Sequence, residues 1–168
     1  MFQKGEIWAY PTDTSFGLGV RADDSETLER LALLKIRDKG KYFSLMVRDF
    51  EMLQKFAKIP KQLNSDIFYK KPLTVILKPK SLLPHSPFWP KNAVAFRICT
   101  IPKVGQKILY PITATSANES GQPAIFTAQE IKKIFGNAVH IFPGIRKIPS
   151  LPPSEILDFT KTPIIRIR

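Results

Sequence analysis

Cysteine is almost absent from this 168-residue chain, Cys99 being the single example. A lone cysteine excludes an internal disulfide, so the cytoplasm is the expected compartment. No apolar run is long enough to span a bilayer, and no signal-peptide pattern precedes the first strand-like run; no membrane association is expected. Histidine is scarce as well. His85 and His140 are not spaced with carboxylates as metal ligands are, and both read as surface or turn residues, so no protein-borne metal site is expected. No Ser-His-Asp or Cys-His set is evident, and Cys99 reads as a small buried hydrophobe rather than a nucleophile. Acidic residues are outnumbered: 26 Lys and Arg stand against 14 Asp and Glu, a net charge of +12. A chain this basic attracts nucleotides, RNA or acidic partners, or simply carries a soluble basic surface. Charge alone does not separate ATP from RNA.

What is present is a pair of polar segments far apart in the chain. They are Pro11-Thr12-Asp13-Thr14-Ser15-Phe16-Gly17-Leu18-Gly19 and Thr115-Ser116-Ala117-Asn118-Glu119-Ser120-Gly121. Each follows a short apolar run that reads as a strand, Ile7 to Tyr10 and Ile112 to Ala114. Small hydroxylated residues after buried strands suit a ligand-binding rim. Their hydroxyls and free backbone N–H groups can hold carboxylate or phosphate without a metal cage.

The length fits one domain, residues 1–168, with a single core. Further strands are expected at Phe16 to Val20, Tyr42 to Val47, Leu73 to Lys78, Ala93 to Ile98, Val139 to Phe142, Glu155 to Phe159 and Ile164 to Ile167. Helices are expected from Asp23, with Glu26 completing a capping box, at 50–57, from Pro60 to Phe68, at Pro102 to Leu109, and from Thr127, whose own capping box precedes a helix that Gly136 stops. Pro79 to Asn92 holds four prolines and reads as an irregular loop. The irregular alternation implies an α/β (α+β) domain with one open, twisted, mixed sheet and flanking helices.

Four blocks, in order, resemble the YrdC/Sua5 family: Pro11 to Gly19, Lys35-Ile36-Arg37 with the strand after it, Val94-Ala95-Phe96-Arg97, and Thr115 to Gly121. A weaker fifth is Pro153 to Asp158 with Ile164-Ile165-Arg166. The resemblance covers nearly the whole chain and is closest to the family's short, single-domain bacterial form. It implies an open mixed sheet with a basic concave face. It also implies a nucleotidyl transfer, in which L-threonine, bicarbonate and ATP give L-threonylcarbamoyl-AMP and pyrophosphate. That product serves N6-threonylcarbamoyladenosine formation in tRNA, so tRNA or double-stranded RNA and other proteins of that pathway are expected partners. Magnesium is expected on ATP itself, held by phosphate oxygens and water.

The resemblance also assigns roles. Lys35 and Arg37 would face the ATP phosphates and the reacting carboxylate, as the catalytic cations, with Lys41 beside them; without the resemblance, cations at a helix C-terminus answer the macrodipole. Thr14 would contact the substrate threonine, where a turn threonine is the plain alternative. Arg97 ends an otherwise apolar strand and demands an anion, either an internal Asp or, as the resemblance implies, the threonine carboxylate. Ser116 and Asn118 would bind phosphate or ribose, unless Asn118 merely closes an Asx turn. Ala93 and Ala114 would line the nucleotide, Ser154 would help hold threonine, and Arg166 would contact the nucleotide. Gly17 and Gly19 would allow close backbone approach or unusual dihedrals.

The chain departs from the family pattern around the same site. Asp38 replaces a proline, Tyr42-Phe43 a Pro-Leu pair, and Met46 a histidine that contacts threonine in many long-form members. Ser44 is a nearby hydroxyl that could substitute. Two other readings fit the same residues: a non-catalytic double-stranded RNA-binding module of this fold, and a domain acting on carbamoyl phosphate within a larger hydrogenase-maturation protein. Zinc-finger and acylphosphatase segments, which that second context requires, are missing here.

Overall fold

The computed structural model describes residues 1–36 and 41–168. Trp8–Pro11 (β1) and Phe16–Gly19 (β2) pair antiparallel, with Trp8 opposite Gly19. Ser25–Leu34 (α1), Leu45–Val47 (β3), Phe50–Phe56 (α2) and the single turn Ile67–Lys70 (α3) follow. Leu73–Leu77 (β4) and Val94–Ile98 (β5) flank the proline-rich loop. Then come the single turn Pro102–Gly105 (α4), Ile112–Thr113 (β6), Thr115–Ser116 (β7) and Ala128–Phe135 (α5). His140–Ile141 (β8), Glu155–Asp158 (β9) and Ile165–Arg166 (β10) complete the order.

The architecture is α/β with mixed pairing, as the alternation predicts, but the strands divide between two sheets rather than lying in one. A four-stranded sheet runs β7-β2-β1-β8 and a six-stranded sheet runs β10-β9-β4-β5-β3-β6. The division falls inside the expected strand Ile112 to Ala114. Thr113 belongs to the larger sheet and Thr115 to the smaller, and Ala114 between them turns its N–H to the Ser44 carbonyl at 2.7 Å. The Thr113 hydroxyl stitches the corner, accepting from Val20 N–H at 3.0 Å and donating to the Leu18 carbonyl at 2.9 Å. The N–H groups of Thr113 and Ala114 are thus both satisfied while the chain changes sheets.

The core fills the angle between the sheets. Tyr10, Phe16 and Leu18 from one meet Leu45, Phe96 and Ile112 from the other, all buried. Gly19 lies at this junction: a Cβ would sit 2.8 Å from Tyr10 Cε1 in its own sheet, 3.0 Å from Phe2 Cε1 and 3.1 Å from Ile112 Cδ1 in the larger sheet. Neither Gly17 nor Gly19 has a positive φ, so proximity rather than an unusual dihedral is what they supply.

Several helix ends differ from expectation. Asp24, not Asp23, caps α1, its Oδ1 accepting from Thr27 N–H at 3.1 Å. Asp23 is taken by Arg21, which donates to both its oxygens at 2.8 Å. Pro60 opens only a turn, closed by Leu63 N–H on its carbonyl, and helix appears at Ile67. Thr127 and Gly136 behave as expected: the Thr127 hydroxyl accepts from Glu130 N–H at 3.2 Å, and Gly136 takes φ +57° at the C-cap. Among the described residues no helix is long and apolar enough to cross a membrane.

Candidate active site

A cavity of about 400 Å³ opens between the sheets, lined by hydroxyls on one side and apolar groups on the other. Its polar wall begins with the loop joining β1 and β2. Thr12 Oγ1 accepts from the N–H groups of Thr14 (3.2 Å) and Ser15 (3.3 Å) and donates to the Ser15 carbonyl at 2.7 Å. This hydroxyl turn holds Thr12, Thr14 and Ser15 against the cavity. Thr14 Oγ1 lies 3.1 Å from Thr12 Oγ1.

Arg97 enters from β5, in the middle of the larger sheet, and is 9% exposed. Its Nη2 donates to Asp13 Oδ1, and its Nη1 points at Thr14 Oγ1 from 3.4 Å. The anion its burial demanded is therefore present inside the protein as Asp13. On the far side, Ser154 and Thr74 share a hydroxyl hydrogen bond of 2.8 Å, buried at the edge of the same cavity. Ser44 lines it as well.

The second polar segment supplies Ala114, Thr115, Ser116 and Asn118 to the lining. Asn118 Nδ2 donates to the carbonyls of Glu119 and Gln122. Two acceptors on one side fix the amide orientation and leave Oδ1 as a buried acceptor with no donor among the described residues.

Lys35 is placed otherwise than a phosphate-facing cation. It is 2% exposed, at the C-cap of α1, and does not line the cavity. Its Nζ donates to the carbonyls of Ser116 at 2.6 Å and Asn118 at 2.5 Å. Its own carbonyl accepts from Ser120 N–H at 2.9 Å. The ammonium lies behind the Ser-x-Asn loop and holds it. Lys41 Nζ reaches Ser120 Oγ at 3.2 Å, on the exposed side of the same loop. Arg37 lies outside the described residues.

Two expected residues stand apart. Ala93 precedes β5 and does not line the cavity. Arg166 is 72% exposed and pairs with Glu155, its Nε 3.0 Å from Oε1. The Glu155 carboxyl is held below its ordinary value by a hydrogen bond from Lys71, with Arg166 adding to the effect. Arg168, two residues on, lines the cavity instead, its Nε donating to the Ser154 carbonyl at 3.0 Å. The signal for it was period-two alternation from Arg166. Thr74 was hidden in a β-branched run that reads as plain strand. The apolar wall of Phe126, Leu151 and Ile156 comes from loops and from β9, which no local pattern marks as a site. Among the described residues no group of three or more His, Cys, Asp or Glu is placed to hold a metal ion.

The profile of the Sua5/YciO/YrdC family, described as "Telomere recombination", matches residues 1–168. A protein of Mannheimia succiniciproducens named threonylcarbamoyl-AMP synthase is 32% identical over 174 residues, covering 98% of this chain and 93% of the relative. One of the same name from Neisseria meningitidis is 31% identical over 163 residues, covering 93% and 86%. The crystal structure of P. abyssi Sua5 complexed with L-threonine superposes with a TM-score of 0.85 at 27% identity. It covers 98% of this chain, which spans 50% of that one. E. coli YciO, at 23% identity, shares the fold with a TM-score of 0.80 over 98% of this chain and 82% of its own.

Proposed function

Because this chain belongs to the Sua5/YciO/YrdC family, we propose that residues 1–168 act as one catalytic domain that makes L-threonylcarbamoyl-AMP and pyrophosphate from L-threonine, bicarbonate and ATP. The observation that carries the reading is the convergence of Arg97, a row of hydroxyls and the Ser-x-Asn loop on one cavity between the sheets. Its volume of about 400 Å³ is in the range of small-molecule sites. Relatives covered over nearly their full length carry the name of that activity, and P. abyssi Sua5 takes L-threonine on the same fold.

The chemistry runs in two steps. The amine of threonine adds to the carbon of bicarbonate, and water leaves, giving a carbamate. A carbamate oxygen then attacks the α-phosphorus of ATP. The bond from that phosphorus to the bridging oxygen breaks, and pyrophosphate departs with the electron pair. Alignment and charge neutralisation dominate such a transfer, so no covalent nucleophile is required.

The residues divide the work by chemistry. Arg97, with a planar fork suited to carboxylates, takes the amino-acid carboxylate. Thr14 and the Thr74–Ser154 pair address the threonine hydroxyl and amine. The Ser-x-Asn loop takes the nucleotide, and Asn118 Oδ1, an acceptor lacking a donor among the described residues, suits a ribose hydroxyl better than a phosphate oxygen. Arg168 and the exposed Lys41 face the triphosphate. Lys35 acts through the loop it braces, placing a fixed positive charge behind it. Magnesium carried on ATP would supply charge neutralisation at the phosphate oxygens.

The adenylate is the donor for N6-threonylcarbamoyladenosine in tRNA, so the consumers of the product are tRNA-modifying proteins. Soluble substrates of this kind fit a cytoplasmic site of action. The net charge of +12 leaves a second reading, a double-stranded RNA-binding module of the same fold. One assay separates the two: pyrophosphate release from ATP with threonine and bicarbonate each omitted in turn. Release that needs both supports the synthase. No turnover at any substrate level, with tight and salt-sensitive RNA binding, would favour the module.

A further inference from the structure

We infer that Asp13 is a positioning residue for the amino-acid carboxylate: it fixes the fork of Arg97 from across the gap between the sheets and sets threonine affinity without touching the substrate. The inference rests on the threonine-binding reading above and adds to it a residue that the site's lining does not contain.

Thr12, Thr14, Ser15 and Arg97 all line the cavity, whereas Asp13, in their midst, does not. Its carboxylate is turned onto the guanidinium. The two residues are 84 positions apart and belong to different sheets, Arg97 to β5 and Asp13 to the β1–β2 loop. The loop itself is rigid, since Thr12 binds it through its hydroxyl and through its own N–H on the Ser15 carbonyl at 3.1 Å. Asp13 is thus a fixed anchor and not a mobile counter-ion.

The geometry separates the two arms of the fork. Nη2 is committed to Asp13 in a charge-assisted bond, the strong kind. Nη1 makes only the long 3.4 Å approach to Thr14 Oγ1, whose hydroxyl faces the cavity. A carboxylate entering the cavity replaces the weak contact and leaves the strong one standing. The long arginine stem is then already ordered before the ligand arrives, which is how pre-organisation raises affinity. Asp13 also compensates a guanidinium that is 9% exposed and would otherwise be buried unpaired.

The test pairs L-threonine and ATP titrations by calorimetry with threonine-dependent pyrophosphate release. In Asp13→Ala, KM and Kd for threonine rise about tenfold, while those for ATP stay within about twofold. Asp13→Glu recovers part of the loss. In an Arg97→Ala background, Asp13→Ala adds no further loss of threonine affinity, because the two act as one unit. Unchanged threonine affinity in Asp13→Ala overturns the inference, and so does an equal fall in threonine and ATP affinity, which would mean general damage. If the unmodified protein makes no threonine-dependent pyrophosphate, the synthase reading itself fails and this inference with it. If the unmodified protein is active and only the Asp13 series behaves otherwise, this inference alone fails.

Discussion

The ammonium of Lys35 is bound to the Ser116 and Asn118 carbonyls, 81 and 83 positions away in sequence. A buried cation held by main-chain oxygens ties the end of α1 to the loop that shapes one wall of the cavity. The carbonyls depend on the cation as much as the cation depends on them. Lys35→Met is therefore expected to leave buried acceptors unsatisfied and to cost on the order of 2 kcal/mol. Amide hydrogen exchange over residues 115–121 should quicken, and ATP-dependent turnover should fall more than threonine binding does. Denaturant titration and exchange measurements check the first two expectations. Unaltered protection of that loop would remove the bracing role.

Two carboxylates at the start of α1 give the protein a pH dependence with a definite sign. Burial pushes the Asp24 carboxyl up, but the N–H groups of Gly5 (2.7 Å) and Thr27 together outweigh it and hold the group below its ordinary value. Arg21 lowers Asp23 through its hydrogen bonds. A carboxylate with a depressed folded-state value stabilises the fold above the unfolded-state value, near 4, and loses that contribution as pH falls through the folded one. Stability should thus be level from pH 7 to about 5 and fall below about 4. Asp24→Ala should cost about 1 kcal/mol at pH 7 and flatten the acid slope. Thermal midpoints taken between pH 7 and pH 3 measure both effects.

How much of this was readable in advance depended on range. Strand and helix positions came from local periodicity, and Thr127 with Gly136 show a cap pair that sequence alone fixes. The sheet break at Ala114 did not, because it arises from Thr113 and Thr115 choosing different partners, Leu45 in one sheet and Leu18 in the other. Arg97's need for an anion was visible from its apolar strand, yet only folding chose Asp13 for it. The exchange of Arg166 for Arg168 at the cavity is of the same kind. Both fit the alternation, and their partners differ: Arg166 is paired with Glu155 and Arg168 with the Ser154 carbonyl.

Cys99 offers a check on packing that is independent of the cavity. Burial pushes its thiol up to about 11, with smaller contributions from its charged neighbours. At pH 8 roughly one thiol in a thousand is then ionised, against about a quarter for a free cysteine. Alkylation by iodoacetamide in native buffer should be slower than in denaturant by about two orders of magnitude or more. A fast native reaction, followed by mass spectrometry of the intact protein, would mean that this side of the core is open.

The hydroxyl pair of Thr74 and Ser154 has an asymmetric expectation. Ser154→Ala removes one partner and leaves the buried Thr74 hydroxyl without its 2.8 Å contact, at a cost of about 1 kcal/mol. Thr74→Val keeps the shape and also removes the partner of Ser154. If the pair holds threonine, both variants raise the KM for threonine and leave that for ATP nearly unchanged. A purely structural pair would instead lower the melting temperature in both and leave the two KM values in their original ratio.

Gly19 sits where β2 meets Tyr10 of its own sheet, Phe2 and Ile112 of the larger sheet. A methyl there would meet Tyr10 Cε1 at 2.8 Å, Phe2 Cε1 at 3.0 Å and Ile112 Cδ1 at 3.1 Å. Tyr10 has little room to yield, because its hydroxyl donates to the Thr113 carbonyl at 2.8 Å, inside the corner where the chain changes sheets. Gly19→Ala should therefore destabilise by about 1–3 kcal/mol as overpacking does. Gly17→Ala meets its nearest atoms at 3.3 Å and should cost less. If Gly19→Ala melts at the same temperature as the parent, Tyr10, Phe2 and Ile112 do not close on residue 19 as these distances require.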